Sequence, residues 1–136
     1  MNTTHFKNLI MGNIFGTDKS KSIPSKYYIG LSSTEPTLAG TNVTEPSNSG
    51  SGYSRLELTS LSSPAEGVIT NTTDIQFNES VTDWFDSDAP ATHYVIYDAA
   101  TGGNLLMYNE LATPRIIQSN TVATINASSL CMKLID

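Results

Sequence analysis

The apolar residues of this chain change period once, near residue 26, and that change constrains the fold more than any other feature. Before it, Phe6, Leu9, Ile10 and Ile14 fall at i, i+3, i+4 and i+8, one stripe along a helix over residues 4–15. Thr3 or Thr4 suits its start and Gly16 its C′ position. A helix this short is not stable alone in water and must pack on something, its own domain or a neighbour. A polar linker over 18–25, closed by Pro24, follows. After it the period is two, with strands expected over 27–32, 53–61, 93–98, 104–110, 114–118, 121–126 and 130–135. Residues 67–70 and 73–77 are shorter candidates. Residues 99–103 carry the glycines of a hairpin connection.

About eight short antiparallel strands with frequent turn signals predict a mainly β chain, a single jelly-roll-like β-sandwich with one N-terminal amphipathic helix. At 136 residues there is room for one such domain. Residues 1–25 read as a helix and linker, an anchor segment, and residues 26–136 as the sandwich. Ser, Thr and Asn make up 45 of the 136 residues, which suits a turn-rich β surface. The connection over 33–52 exceeds the usual loop length, which marks it as functional or disordered.

Net charge is −6. Of seven basic residues, four (Lys7, Lys19, Lys21, Lys26) lie near the N-terminus. Neither a nucleic acid nor an anionic membrane is an expected partner. No apolar run is long enough for a transmembrane helix, and no signal peptide is read at the N-terminus. The single Cys131 cannot form an internal disulfide and reads as a small buried hydrophobe in the closing strand.

Catalytic signals are sparse. His5 and His93 are the only histidines, with no nucleophile elbow. Residues 16–20 lack the spacing of a phosphate loop. No zinc motif is present. Asp83, Asp86 and Asp88 are weak Ca²⁺ candidates, against the plainer reading of a solvated acidic turn. Trp84 with Phe85, and Tyr27 with Tyr28, would suit a sugar-stacking platform, against the plainer reading of core aromatics. No catalytic residue, cofactor or metal is assigned, and the chain is not expected to be an enzyme. The N-x-[ST] sequons, those at Asn42, Asn71, Asn78 and Asn126 among them, are accidents of composition.

Several segments together resemble a family of small tailed-bacteriophage virion structural proteins, commonly labelled phage tail fibre or head decoration proteins. They are residues 28–36 (YIGLSSTEP), Gly40, Thr44-Glu45-Pro46, and residues 50–55 (GSGYSR). Residues 75–77 (IQF), Trp84, residues 92–98 (THYVIYD) and 99–106 (AATGGNLL) continue it, with Leu111, Pro114 and 130–134. The resemblance runs from about residue 6 to 135. Two loops depart from its pattern: the acidic stretch after Trp84 is longer, and the segment between Tyr53 and Ile75 is shorter.

The resemblance implies a non-enzymatic virion component, made in the bacterial cytoplasm and localised to the particle. A capsid decoration or head-fibre role ranks ahead of a tail fibre, because no long shaft is present. The alternative is a tail-fibre or baseplate-associated receptor-binding protein that takes a host surface glycan through Trp84 and Phe85. Partners implied are other virion proteins, of the capsid shell or the tail, and copies of the chain itself in a trimer. The expected docking residues are Phe6, Leu9, Ile10 and Ile14.

Overall fold

A computed structural model describes residues 1–16 and 22–134. Helix α1 spans Thr4–Phe15. Thr3 is its N-cap, the hydroxyl accepting the Phe6 N–H at 3.3 Å. The same hydroxyl donates to the Leu105 carbonyl at 2.7 Å, which ties the helix start to the body. Gly16 is extended (φ −70°) rather than left-handed, and its N–H bonds the Gly12 carbonyl at 3.0 Å. Glycine is required for a different reason from the expected one: a Cβ there would collide with the Gly12 carbonyl oxygen. The first half of the linker expected over 18–25 lies outside the described residues, as does the last residue of the strand expected over 130–135.

The rest is β, as the period of two requires. The strands are β1 Tyr28–Ser32, β2 Leu56–Glu57, β3 Val68–Thr70 and β4 Ile75–Gln76, then β5 Ala91–Tyr97, β6 Leu105–Arg115, β7 Thr124–Ile125 and β8 Cys131–Lys133. Every pairing is antiparallel. One sheet has four strands in the order β2-β1-β5-β6; β3-β8 and β4-β7 form two-stranded ribbons. The result is a sandwich-like arrangement in which ribbons take the place of a second continuous sheet.

Several strands differ in length from their sequence pattern: that expected over 121–126 shrinks to Thr124–Ile125, and that expected over 114–118 is not separate, since β6 runs on to Arg115. Residues 53–61 alternate throughout, but only Leu56 and Glu57 find ladder partners on β1. β6 is longer than expected and absorbs Pro114, because the register against β5 slips between Ala91 and His93. Proline is tolerated at such an irregularity, where no ladder N–H is needed.

The main core lies between the four-stranded sheet and the ribbons. Ile29, Leu31, Tyr94 and Ile96 of the sheet meet Phe77, Trp84, Ile117 and Leu130, with Ile75, Ile125 and Met132 at the margin. Cys131 corrects the sequence reading: it is exposed. Leu130, just before β8, and Met132 within it face inward, so the alternation places Cys131 and Lys133 outward.

The opposite face of the sheet is covered as well. Val95, Tyr97, Leu105 and Tyr108 form a second cluster, packed by Met1 and Val43. Residues 1–3 run antiparallel beside β6, with Asn2 opposite Met107. The Thr3 N–H donates to the Leu106 carbonyl at 2.9 Å and the Tyr108 N–H to the Met1 carbonyl at 3.0 Å. Val43 comes from the long connection, which is folded. Ser32 Oγ accepts from the Thr44 N–H at 3.0 Å, and Thr34 Oγ1 donates to the Asn42 carbonyl at 2.7 Å. The hydroxyls abundant in the sequence thus satisfy backbone groups that no ladder reaches.

Candidate functional site

Among the described elements, α1 packs against β6 alone, and none of its residues is fully buried. Phe6, Leu9 and Ile10 are half-buried. Ile14 is 53% exposed, and so are Met11 (56%) and Phe15 (75%). The helix is therefore apolar on two faces, one against the body and one in solvent. The expected stripe of Phe6, Leu9, Ile10 and Ile14 is divided between them. Met11 and Phe15 were not part of that stripe, because a single-face template cannot register a second apolar face. Helices apolar all round are ordinarily buried.

A second construction joins the resemblance residues. Glu45 sits in the long connection, Tyr53 and Arg55 lead into β2, and residues 99–103 join β5 to β6. Arg55 Nε and Nη2 donate to the Glu45 carboxylate at 2.9 and 2.7 Å. Its Nη1 donates to the carbonyls of Ala99 at 2.9 Å and Gly102 at 2.8 Å. Its guanidinium carbon lies 3.5 Å from the centre of the Tyr97 ring. Tyr53 donates to Glu45 at 2.6 Å and accepts the Leu31 N–H at 3.2 Å. Burial and the Glu45 charge push the Tyr53 phenol well above its ordinary pKa. The ion pair also holds the Arg55 guanidinium in its charged form, its pKa raised despite burial. Gly30 makes room for this network, since a Cβ there would run into the Tyr53 hydroxyl and Glu45. The sequence supplied these residues as motifs; nothing in their spacing announced that they converge.

Trp84 and Phe85, the candidate host contacts, are 4% and 7% exposed and belong to the main core. The Trp84 indole N–H donates to the Ser51 carbonyl at 3.1 Å. Its ring meets Tyr53 edge-on at 5.2 Å and Phe77 at 6.1 Å. Both residues also contribute to the wall of a cleft of about 640 Å³ between residues 44–51 and 82–89, with Ser47, Ser49, Thr82 and Asp83. A groove of about 370 Å³ opens on the other side of the core, walled by Leu111, Ile116, Ile117 and Val122 with Glu110 on its lining. Ile116 and Val122 there are 55% and 47% exposed.

The acidic candidates do not come together. Asp83 accepts the Ser119 N–H at 2.9 Å, while Asp86 and Asp88 stand exposed in a short 3₁₀ turn. Among the described residues, no three His, Cys, Asp or Glu side chains are placed to hold a metal ion. His93 Nδ1 shares a hydrogen bond with the Thr92 hydroxyl at 2.8 Å, and His5 is exposed on α1. No described helix is long and apolar enough to cross a membrane.

The model of the family described as "Podophage GP4 fiber I protein gp80" matches residues 2–133. The match takes in α1, all eight strands and the long connection. No curated protein matches the chain.

Proposed function

We propose, since the chain belongs to the podophage GP4 fiber I protein gp80 family, that it is a non-enzymatic fibre module carried on the phage particle and attached through α1. The family makes it a phage fibre protein. The attachment rests on one observation above the others: α1 carries Met11, Ile14 and Phe15 into solvent beside a body whose core is complete without them. Burial of apolar side chains contributes roughly 1.5–3 kcal/mol each, so three that stay exposed mark a surface awaiting a partner.

The family's description as a fibre favours a fibre over a shell decoration, with head and tail both available as the point of attachment. The network around Arg55 supports the structural role, because it spends the chain's motif residues on holding loops. The test is the protein content of purified particles. The wild-type chain is expected in them, and a chain with Ile14→Asp and Phe15→Asp is expected to fold but to be missing from them. Equal incorporation of both would reject attachment through α1.

A second reading is supported by the 640 Å³ cleft, whose hydroxyls and carboxylates suit a polyhydroxylated ligand such as a host surface glycan. Glycan-array binding that is lost in Asp83→Ala would support it. A blank array would reject it.

A further inference from the structure

We propose that Asn2, Thr3 and Thr4 form a clasp that fixes the direction in which α1 leaves the body, and so sets how the fibre body stands on the particle. The inference rests on the reading of α1 as the docking element and adds the residues that orient it.

Three consecutive residues tie to three separate parts of the body. The Asn2 side-chain amide donates to the Lys133 carbonyl of β8 at 3.3 Å. The Thr3 N–H and hydroxyl donate to the Leu106 and Leu105 carbonyls of β6 at 2.9 and 2.7 Å. The Thr4 N–H donates to the Leu38 carbonyl of the long connection at 2.9 Å. Asn2 and Thr3 are each 1% exposed, whereas no residue of α1 is fully buried. Phe6, Leu9 and Ile10 rest half-buried on the body, and the far end of the helix at Phe15 is in solvent.

The same residues start the helix. The Thr3 hydroxyl accepts the Phe6 N–H at 3.3 Å and the Thr3 carbonyl accepts the Lys7 N–H at 3.0 Å. Thr3 is thus edge partner of β6 and helix cap at once, and no residue stands between the two roles to act as a swivel. Half-buried apolar contact is non-directional, whereas hydrogen bonds demand alignment. The clasp, rather than the packing on β6, therefore sets the angle of the helix. Twelve residues of helix extend roughly 18 Å. A small rotation at Thr3 becomes a large displacement at Ile14 and Phe15. With the clasp open, the body would keep to α1 only by half-buried contacts and by the chain that follows Gly16.

The experiment is backbone NMR relaxation of the full chain, comparing wild type with Thr4→Pro, Thr3→Val and Thr3→Ser. Thr4→Pro deletes the N–H that reaches Leu38 but suits the helix itself, because proline is favoured at the first helical position. Thr3 already has the extended backbone (φ −69°, ψ 158°) that a following proline requires. In wild type the α1 amides are expected to be as ordered as the body, with order parameters of about 0.85. In Thr4→Pro the chemical shifts of α1 are expected to stay helical while its order parameters fall toward about 0.6. Thr3→Val is expected to loosen α1 in the same way, and Thr3→Ser, which keeps the hydroxyl, to match wild type. A wild-type helix already mobile against the body, unchanged order in Thr4→Pro, or loss of its helical shifts would each overturn the proposal. On particles, Thr4→Pro is expected to be incorporated like wild type but with its body density smeared. Body density as sharp as in wild type would overturn the clasp. The attachment reading fails on a different result, equal incorporation of the Ile14→Asp, Phe15→Asp chain.

Discussion

Glu45 grips Arg55 with both carboxylate oxygens, at 2.9 and 2.7 Å, in a site where the two side chains are only 19% and 8% exposed. The pair ties the end of the long connection to the approach to β2, ten residues on. From it, Arg55 reaches the carbonyls of the 99–103 connection and lies on the Tyr97 ring. The long connection, β2 and the β5–β6 hairpin are thus fastened at one guanidinium.

Removing one partner from such a pair leaves a charge buried without compensation, at a cost of about 3–5 kcal/mol. Arg55→Ala and Glu45→Ala are each expected to destabilise the chain by that order in chemical denaturation. Arg55→Lys is expected to recover only part, because an ammonium cannot make the two-point contact and reach both carbonyls. A loss below about 1 kcal/mol in Arg55→Ala would show that the network is incidental.

Two neighbouring glycines separate conformational freedom from close approach. Gly50 and Gly52 both have positive φ, at +78° and +82°. A Cβ on Gly50 meets open space, whereas one on Gly52 would lie 2.6 Å from the Glu79 carbonyl oxygen. Gly50→Ala is expected to cost about 1 kcal/mol from the backbone alone. Gly52→Ala adds a displacement of fixed backbone and is expected to cost clearly more. Thermal melts of the two variants side by side check the order.

Trp84 closes the core beneath the long connection. Trp84→Ala is expected to destabilise by about 3–5 kcal/mol through the cavity it leaves. Trp84→Phe is expected to cost less, since the Ser51 carbonyl keeps the Val81 N–H at 2.8 Å when the indole N–H is lost. Equilibrium unfolding measures both. A stable Trp84→Ala chain would contradict the placement of this residue in the core.

Alkaline pH is expected to weaken the fold. Burial pushes the Tyr94 phenol up to about 12 from its ordinary value of 10.0, and burial with the Glu45 charge pushes Tyr53 up as well. Both hold their protons in the folded chain at pH values where the unfolded chain releases them. The folded state therefore binds more protons above pH 10.0, and stability is full below that value and falls as pH rises toward about 12. Tyr94→Phe keeps the ring and removes the titration, so its unfolding free energy is expected to fall less steeply over this range. Parallel pH profiles would contradict the assignment.

The sequence made the elements legible and their partners illegible. The single change of period separated α1 from the strands, and the Gly102-Gly103 hairpin was plain because positive φ leaves a glycine signature. Parity within the last strand was read the wrong way for Cys131, since Leu130 and Met132 are also apolar and only tertiary contact decides which set turns inward. The alternation over 53–61 was real, but a strand needs a neighbour, and β1 offered one for two residues only. The meeting of Glu45, Arg55 and Tyr97 was beyond pattern reading, because it joins positions up to 52 residues apart through a loop that has no period. The second apolar face of α1 was hidden because Met11 and Phe15 fall outside a single stripe, although the lack of any acidic residue on the helix was in view.

A particle-borne fibre protein attached by α1 must be visible on the virion. Cryo-electron microscopy of purified phage, with the β body fitted into density, tests it most directly. Density for the body is expected on the particle surface, with Met11, Ile14 and Phe15 buried at the contact with the neighbouring virion protein. A particle without this density, or a body attached by another surface with the α1 face open to solvent, would contradict it.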